Sequence, residues 1–131
     1  MKCEKLDVWK KSAALSAEIY RYFSDFRDYG FKDQITRSGL SIPSNIAEGI
    51  ERESDRETWR FLDIAQASGA ELKTQIYIGM KIEYIEISQG KKWLEELESI
   101  GKMLRALKAT VKKANDQRPT ANDAAPEVPN A

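Results

Sequence analysis

The run Arg37-Ser38-Gly39-Leu40-Ser41-Ile42-Pro43-Ser44-Asn45-Ile46-Ala47-Glu48-Gly49 carries the side chains best suited to chemistry. At helical spacing Gln34, Arg37, Ser38, Ser41, Ser44, Asn45 and Glu48 share the face opposite the isoleucines Ile35, Ile42 and Ile46. Solvated helix faces are usually built of Lys and Glu, which favour both helix and water. Ser and Asn form helix poorly, because they bond to nearby backbone and prefer caps and turns. A face made of them asks for a reason, and three are open. The first is a small-residue helix packed close to a neighbour, with Pro43 bending it. The second is a satisfied polar layer or subunit contact anchored by Arg37, Ser41, Ser44, Asn45 and Glu48. The third is a catalytic site. Further along, Ser68, Glu71 and Gln75 share a face flanked by Ile64, Ile78 and Ile82. A carboxylate hemmed by isoleucines needs a partner where it is buried. Glu71 is therefore expected to meet Arg37 or a polar group of the Ser44-Asn45 turn. Glu48 with Glu71 would in principle also serve as an acid/base or metal-binding pair.

Composition narrows these choices. The chain has 131 residues, enough for one domain, with one cysteine and no histidine. Without histidine there is no Ser-His-Asp triad and no His-ligated metal. The di-metal site of ferritin-like bundles, which needs Glu-x-x-His on two helices, cannot form. Cys3 alone makes neither an internal disulfide nor a cysteine-cluster zinc site. The expectation is a protein that is not an enzyme and has no catalytic residue, cofactor or metal. Lys and Arg number 21, as do Asp and Glu, so the formal net charge is zero. Domains devoted to gripping phosphates usually carry a net positive field. No stretch approaches the roughly 20 apolar residues needed to span a bilayer, and no apolar leader follows Met1. A cytoplasmic protein with no membrane partner is expected.

Four helical segments must position these groups. In the first, Val8, Trp9, Ala13, Leu15, Ile19, Tyr20, Phe23 and Phe26 cover an arc of about 200°, wider than one core contact requires. That helix should have more than one apolar partner. The second starts after Tyr29-Gly30 and carries Phe31, Ile35, Ile42, Ile46 and Ile50 on one face; its period survives Pro43, so a kinked helix continuing to about Gly49 is expected. The third opens with the capping box Ser54-Asp55-Arg56-Glu57 and runs through Trp59, Leu62, Leu72 and Ile76 to Ile85. A connection is expected around Ser88-Gln89-Gly90, before a fourth helix whose stripe is Trp93, Leu94, Leu97, Ile100, Gly101, Leu104, Leu107 and Val111. Short connections make neighbours antiparallel, so the expected fold is an all-α, up-down-up-down four-helix bundle over residues 5–114. Residues 115–131 hold three of the four prolines and almost no large apolar residue; a disordered C-terminal tail is expected there.

Two surface features remain. Trp59, Tyr77 and Tyr84 form a second stripe on the third helix, which with the wide arc of the first suggests an oligomer interface. Lys102, Arg105, Lys108, Lys112 and Lys113 come late in the fourth helix with no acid among them. They are either a solvated helix end or contacts for nucleic acid, strengthened if an oligomer presents several copies.

The segments Lys5-Leu6-Asp7-Val8-Trp9-Lys10-Lys11, Glu18-Ile19-Tyr20, Gln34-Ile35-Thr36-Arg37 and above all Ser41-Ile42-Pro43-Ser44-Asn45-Ile46-Ala47-Glu48-Gly49 carry a family resemblance. Phe61-Leu62-Asp63-Ile64-Ala65, Ser68, Glu71-Leu72 and Ile100-Gly101-Lys102-Met103-Leu104 continue it. Together they resemble the bacterial four-helix-bundle family named for the 23S rRNA intervening sequence. A related branch is the accessory variability determinant of diversity-generating retroelements, strongly basic and nucleic-acid binding. The resemblance implies an antiparallel bundle assembled as a homo-oligomeric ring, typically a pentamer, with no catalytic residues to carry over. The balanced charge sets this chain apart from the basic branch.

Overall fold

The structure, a computed structural model, describes residues 3–114, and side chains as far as Val111. A short 3₁₀ turn, Cys3–Lys5, precedes helices α1 (Asp7–Tyr22), α2 (Tyr29–Ile50), α3 (Asp55–Lys81) and α4 (Ile87–Ala114). Among the described residues there is no strand. Consecutive helices pack against one another, and α4 closes back on α1, giving an all-α, up-down-up-down four-helix bundle. The expected tail, residues 115–131, lies outside the described residues.

Each helix contributes the stripe its period predicts. Leu15 and Ile19 of α1, Ile35, Ile42 and Ile46 of α2, Leu62, Leu72 and Ile76 of α3, and Trp93, Ile100 and Leu104 of α4 are all buried in one core. Pro43 is itself buried, and α2 continues past it to Ile50. Where α1 crosses α2, a Cβ added to Gly39 would stand 3.8 Å from the Ser16 Cα, in ordinary van der Waals contact, which marks this as the place where the two helices approach.

At one end of the bundle six rings interlock. Phe23 packs edge-on against Tyr22, Phe26 and Phe31, while Tyr84 stands edge-on to Phe26 and Phe31. Trp93 meets Tyr22 edge-on and gives its indole N–H to Glu18 Oε1 at 2.8 Å. A buried indole N–H needs such an acceptor. The cluster explains why α1 stops at Tyr22, short of the Phe26 that the period suggested. Phe23 and Phe26 leave the helix and turn inward to join the rings.

The connection between α3 and α4 also differs from expectation. Ser88, Gln89 and Gly90 lie in the first turn of α4, and the link is residues 82–86. The chain leaves α3 through a Schellman turn, in which Tyr84 N–H donates to Gly79 C=O at 2.8 Å and Glu83 N–H to Met80 C=O at 3.3 Å. Such a turn needs a left-handed residue, usually glycine, and here Glu83 takes it at φ 66°. The glycine that would normally signal such a turn, Gly90, lies instead within the first turn of α4.

Caps set the other starts. Ser54 Oγ accepts from Glu57 N–H at 3.1 Å, as the capping box requires. Asp28 Oδ1 accepts from Phe31 N–H at 3.1 Å, and its Oδ2 accepts from the Tyr84 hydroxyl at 2.7 Å. The Tyr84 bond, followed by the cap bond, holds the Asp28 carboxyl below the ordinary carboxylate range. The same bond holds the Tyr84 phenol above its ordinary range. The unfolded chain therefore protonates Asp28 first, so this contribution is present above the ordinary carboxylate range and is lost as pH falls through the lowered value. Acidification should lower the thermal midpoint more in the wild type than in Asp28→Asn, which thermal melts across the acid range would show. Glu83→Gly should raise stability by about 1 kcal/mol, measured by urea unfolding, because it relieves the left-handed residue.

Candidate functional site

The serine-rich face of α2 meets α3. Ser41 Oγ and Ser68 Oγ stand 2.7 Å apart, and Asn45 Nδ2 donates to Ser41 Oγ at 2.9 Å and to Ser41 C=O at 2.8 Å. Ser68 is buried, while Ser41 and Asn45 are half-buried. Each polar group finds its partner inside the chain, so this is a satisfied seam that pins α2 to α3. Such groups have little spare capacity for a substrate.

The other residues expected in this layer stand outside it. Arg37, Ser44, Glu48 and Glu71 are exposed. Glu48 pairs with Arg52 one turn on. The expected pairing of Glu71 with Arg37 or the Ser44-Asn45 turn is not made: Glu71 has no ion pair or hydrogen bond among the described residues. The physical reason is that Glu71 points outward beside the seam and keeps its hydration, so burial never forces a partner on it. Ser68, one turn earlier on the same face, makes the contact instead. Glu48 and Glu71 therefore do not form an acid/base pair. Among the described residues no three Asp, Glu, Cys or His side chains gather where a metal could be held.

The basic end of α4 divides. Lys108 Nζ donates to Asp63 Oδ1 at 2.7 Å and to Gln66 Oε1 at 2.9 Å, and lies 4.7 Å from the centre of the Trp59 ring. Its side chain is only 16% exposed. This lysine, expected among the possible nucleic-acid contacts, ties α4 to α3, and its ammonium has partners inside the chain. Lys102 is exposed and 4.0 Å from Glu98, and Arg105 is exposed. The side chains of Lys112 and Lys113 lie outside the described residues. The second aromatic stripe on α3 also dissolves. Trp59 lies under Lys108 and Tyr84 joins the ring cluster, leaving Tyr77 exposed.

Two open grooves flank α4. One of about 480 Å³ lies between α3 and α4 over Gly69, Ala70 and Gly101, with Tyr77, Lys73 and Arg105 on its rim. The other, of about 610 Å³, lies between α1 and α4 among Lys10, Lys11, Glu18, Lys92 and Glu96. No residue of the polar seam lines either. Sequence reading missed the Trp93–Glu18 bond, although a tryptophan in a core stripe signals that some acceptor must reach it.

The fold and its seam define a class: a small helical bundle whose polar layer joins two of its own helices. The sequence pattern of the 23S rRNA-intervening sequence protein family matches residues 4–106, and the chain belongs to that family. It is similar to a Bacteroides thetaiotaomicron protein of unknown function from the S23 ribosomal protein family, solved by crystallography. The two share 26% identity at a TM-score of 0.72, over 76% of this chain and 96% of that one. No curated protein sequence matches. Among the described residues, no helix is long and apolar enough to cross a membrane.

The seam makes a quantitative prediction. Ser41→Ala should cost about 1 kcal/mol in urea unfolding, because Ser68 and Asn45 lose a partner. The double variant Ser41→Ala/Ser68→Ala should cost less than the sum of the two single changes, since the cycle removes both halves of one bond.

Proposed function

We propose that this protein is a non-enzymatic, cytoplasmic scaffold or binding protein that works as a homo-oligomer, a ring of five copies by its family resemblance. The observation that carries this reading is the amount of apolar side chain left in water on helix faces. Tyr20, Leu40, Ile64, Ile78 and Ile82 are all exposed on a chain whose core is otherwise well filled. Scattered apolar residues are normal, but contiguous strips on helices mark contact surfaces. The wide apolar arc of α1 supports the same reading, since Trp9 is half-buried and Tyr20 exposed while Leu15 and Ile19 fill the core. The closed hydroxyl–amide seam supports a structural rather than catalytic use of the serine-rich face.

The alternative is a nucleic-acid-binding accessory protein acting through basic patches of a ring. The engagement of Lys108 with Asp63 and Gln66 counts against it. A mobility shift with structured RNA, titrated with salt, separates the two, because true phosphate contacts weaken as salt rises. Light scattering after size exclusion tests the main proposal. A mass that is a whole multiple of 14.9 kDa is expected. A single species at the monomer mass of 14.9 kDa, rather than at two or more times it, would overturn the proposal.

A further inference from the structure

Five exposed apolar side chains, Tyr20, Leu40, Ile64, Ile78 and Ile82, fall into two strips on adjacent sides of the bundle, with α2 between them, while Tyr22, Tyr29, Tyr77 and Ile87 lie outside both. On the α2–α3 side, Ile64, Glu71, Ile78 and Ile82 stand in one line along α3, because they recur at seven- and four-residue spacing. The Ser41–Ser68 bond places this line beside α2. On the α1–α2 side, Trp9, Ala13 and Tyr20 line α1 next to Leu40 of α2. The approach of Ser16 to Gly39 identifies that flank of α1 as the one turned toward α2.

We infer that these two strips bind each other between copies of this chain, the α3 strip of one copy seating on the α1–α2 strip of the next. The inference rests on the homo-oligomer proposed above and names its contact surface. Three features carry it. The first is direction. The strips lie on neighbouring sides of a four-helix bundle, so they face roughly a right angle apart, and a head-to-tail contact between such sides closes a ring at about four or five copies.

The second is level. The Ser41–Ser68 bond aligns α2 with α3, and the Ser16–Gly39 approach aligns α1 with α2. Counting the rise per residue from these two points, Ile64 stands within about one turn of Trp9, and Ile78 within about one turn of Tyr20. Rotation about an axis along the helices keeps these levels, so apolar residues meet apolar residues at both ends of the contact.

The third is charge. Glu71 lies in the middle of the α3 strip, and Arg21 follows Tyr20, about 100° further round α1 on its outward face and within about one turn of the same level. Both are exposed, and neither has an ion pair among the described residues. The α3 strip thus offers an unpaired anion where the outer border of the other offers an unpaired, long cation, and a neighbouring copy brings them within reach. Glu71 gains outside the chain the partner it lacks inside it.

The test uses the full chain and variants at exposed positions, each checked for helix content by circular dichroism. Ile78→Asp/Ile82→Asp breaks the α3 strip, and Tyr20→Asp breaks the α1–α2 strip. Each is expected to run as a folded monomer by size exclusion with light scattering. Mixed together they are expected to form a complex of two copies, because one intact contact remains between them. Tyr77→Asp, on the α3–α4 side, is expected to assemble like the wild type. Glu71→Arg and Arg21→Glu should each raise the concentration at which the assembly dissociates by roughly fivefold, and the double variant should recover it. If the wild type assembles and both strip variants assemble equally well, this contact is wrong while the oligomer stands. If the two variants are monomers that ignore each other on mixing, the head-to-tail pairing is wrong. A monomeric wild type removes the homo-oligomer and this inference together.

Discussion

The 2.7 Å contact between Ser41 and Ser68 sets the level of α2 against α3. Apolar packing between helices is adaptable and leaves their sliding register loosely defined. A hydroxyl pair extended by Asn45 is directional, and a slip of one residue would leave its members unpaired beside a filled core. Through α2 the same setting reaches α1, which crosses at Gly39 and Ser16. The outer surface of the bundle, including both apolar strips, takes its geometry from these two fixed points.

At the far end the ring cluster does comparable work with a different force. Phe23, fully buried, gathers the end of α1 and the start of α2 through edge-on contacts with Tyr22, Phe26 and Phe31, and Phe26 and Phe31 pass the contact on to Tyr84 of the α3–α4 link. Tyr84 adds a hydrogen bond to Asp28, so the cap of α2 and the exit from α3 hold each other. Polar direction in the middle and aromatic shape at the end leave few alternatives for how four amphipathic helices assemble.

Much of this was legible from period and composition. The apolar stripes located all four helices, the survival of the period past Pro43 correctly kept α2 whole, and Ser54 marked the start of α3. What escaped did so for identifiable reasons. The α3–α4 link was displaced because Glu83 adopts the backbone shape normally signalled by glycine. Glu71 shared a helix face with Ser68, but a wheel gives direction and not depth, and a small difference in angle separates burial from water. Lys108 looked like one of several free cations because its partners, Asp63 and Gln66, lie more than 40 residues away in sequence. Local pattern reveals elements well and long-range polar partners poorly.

The central claim is that the flanks of α2 are covered by other copies of the chain. Hydroxyl-radical footprinting read by mass spectrometry tests it on side chains of the same chemistry within one sample. Tyr20 and Tyr77 are 43% and 52% exposed in the single chain, so a monomer would label them at nearly equal rates. The account predicts strong protection of Tyr20, with Ile78 and Ile82 protected beside it, while Tyr77 stays reactive and the protection of Tyr20 fades on dilution. Equal labelling of Tyr20 and Tyr77 at every concentration would contradict it.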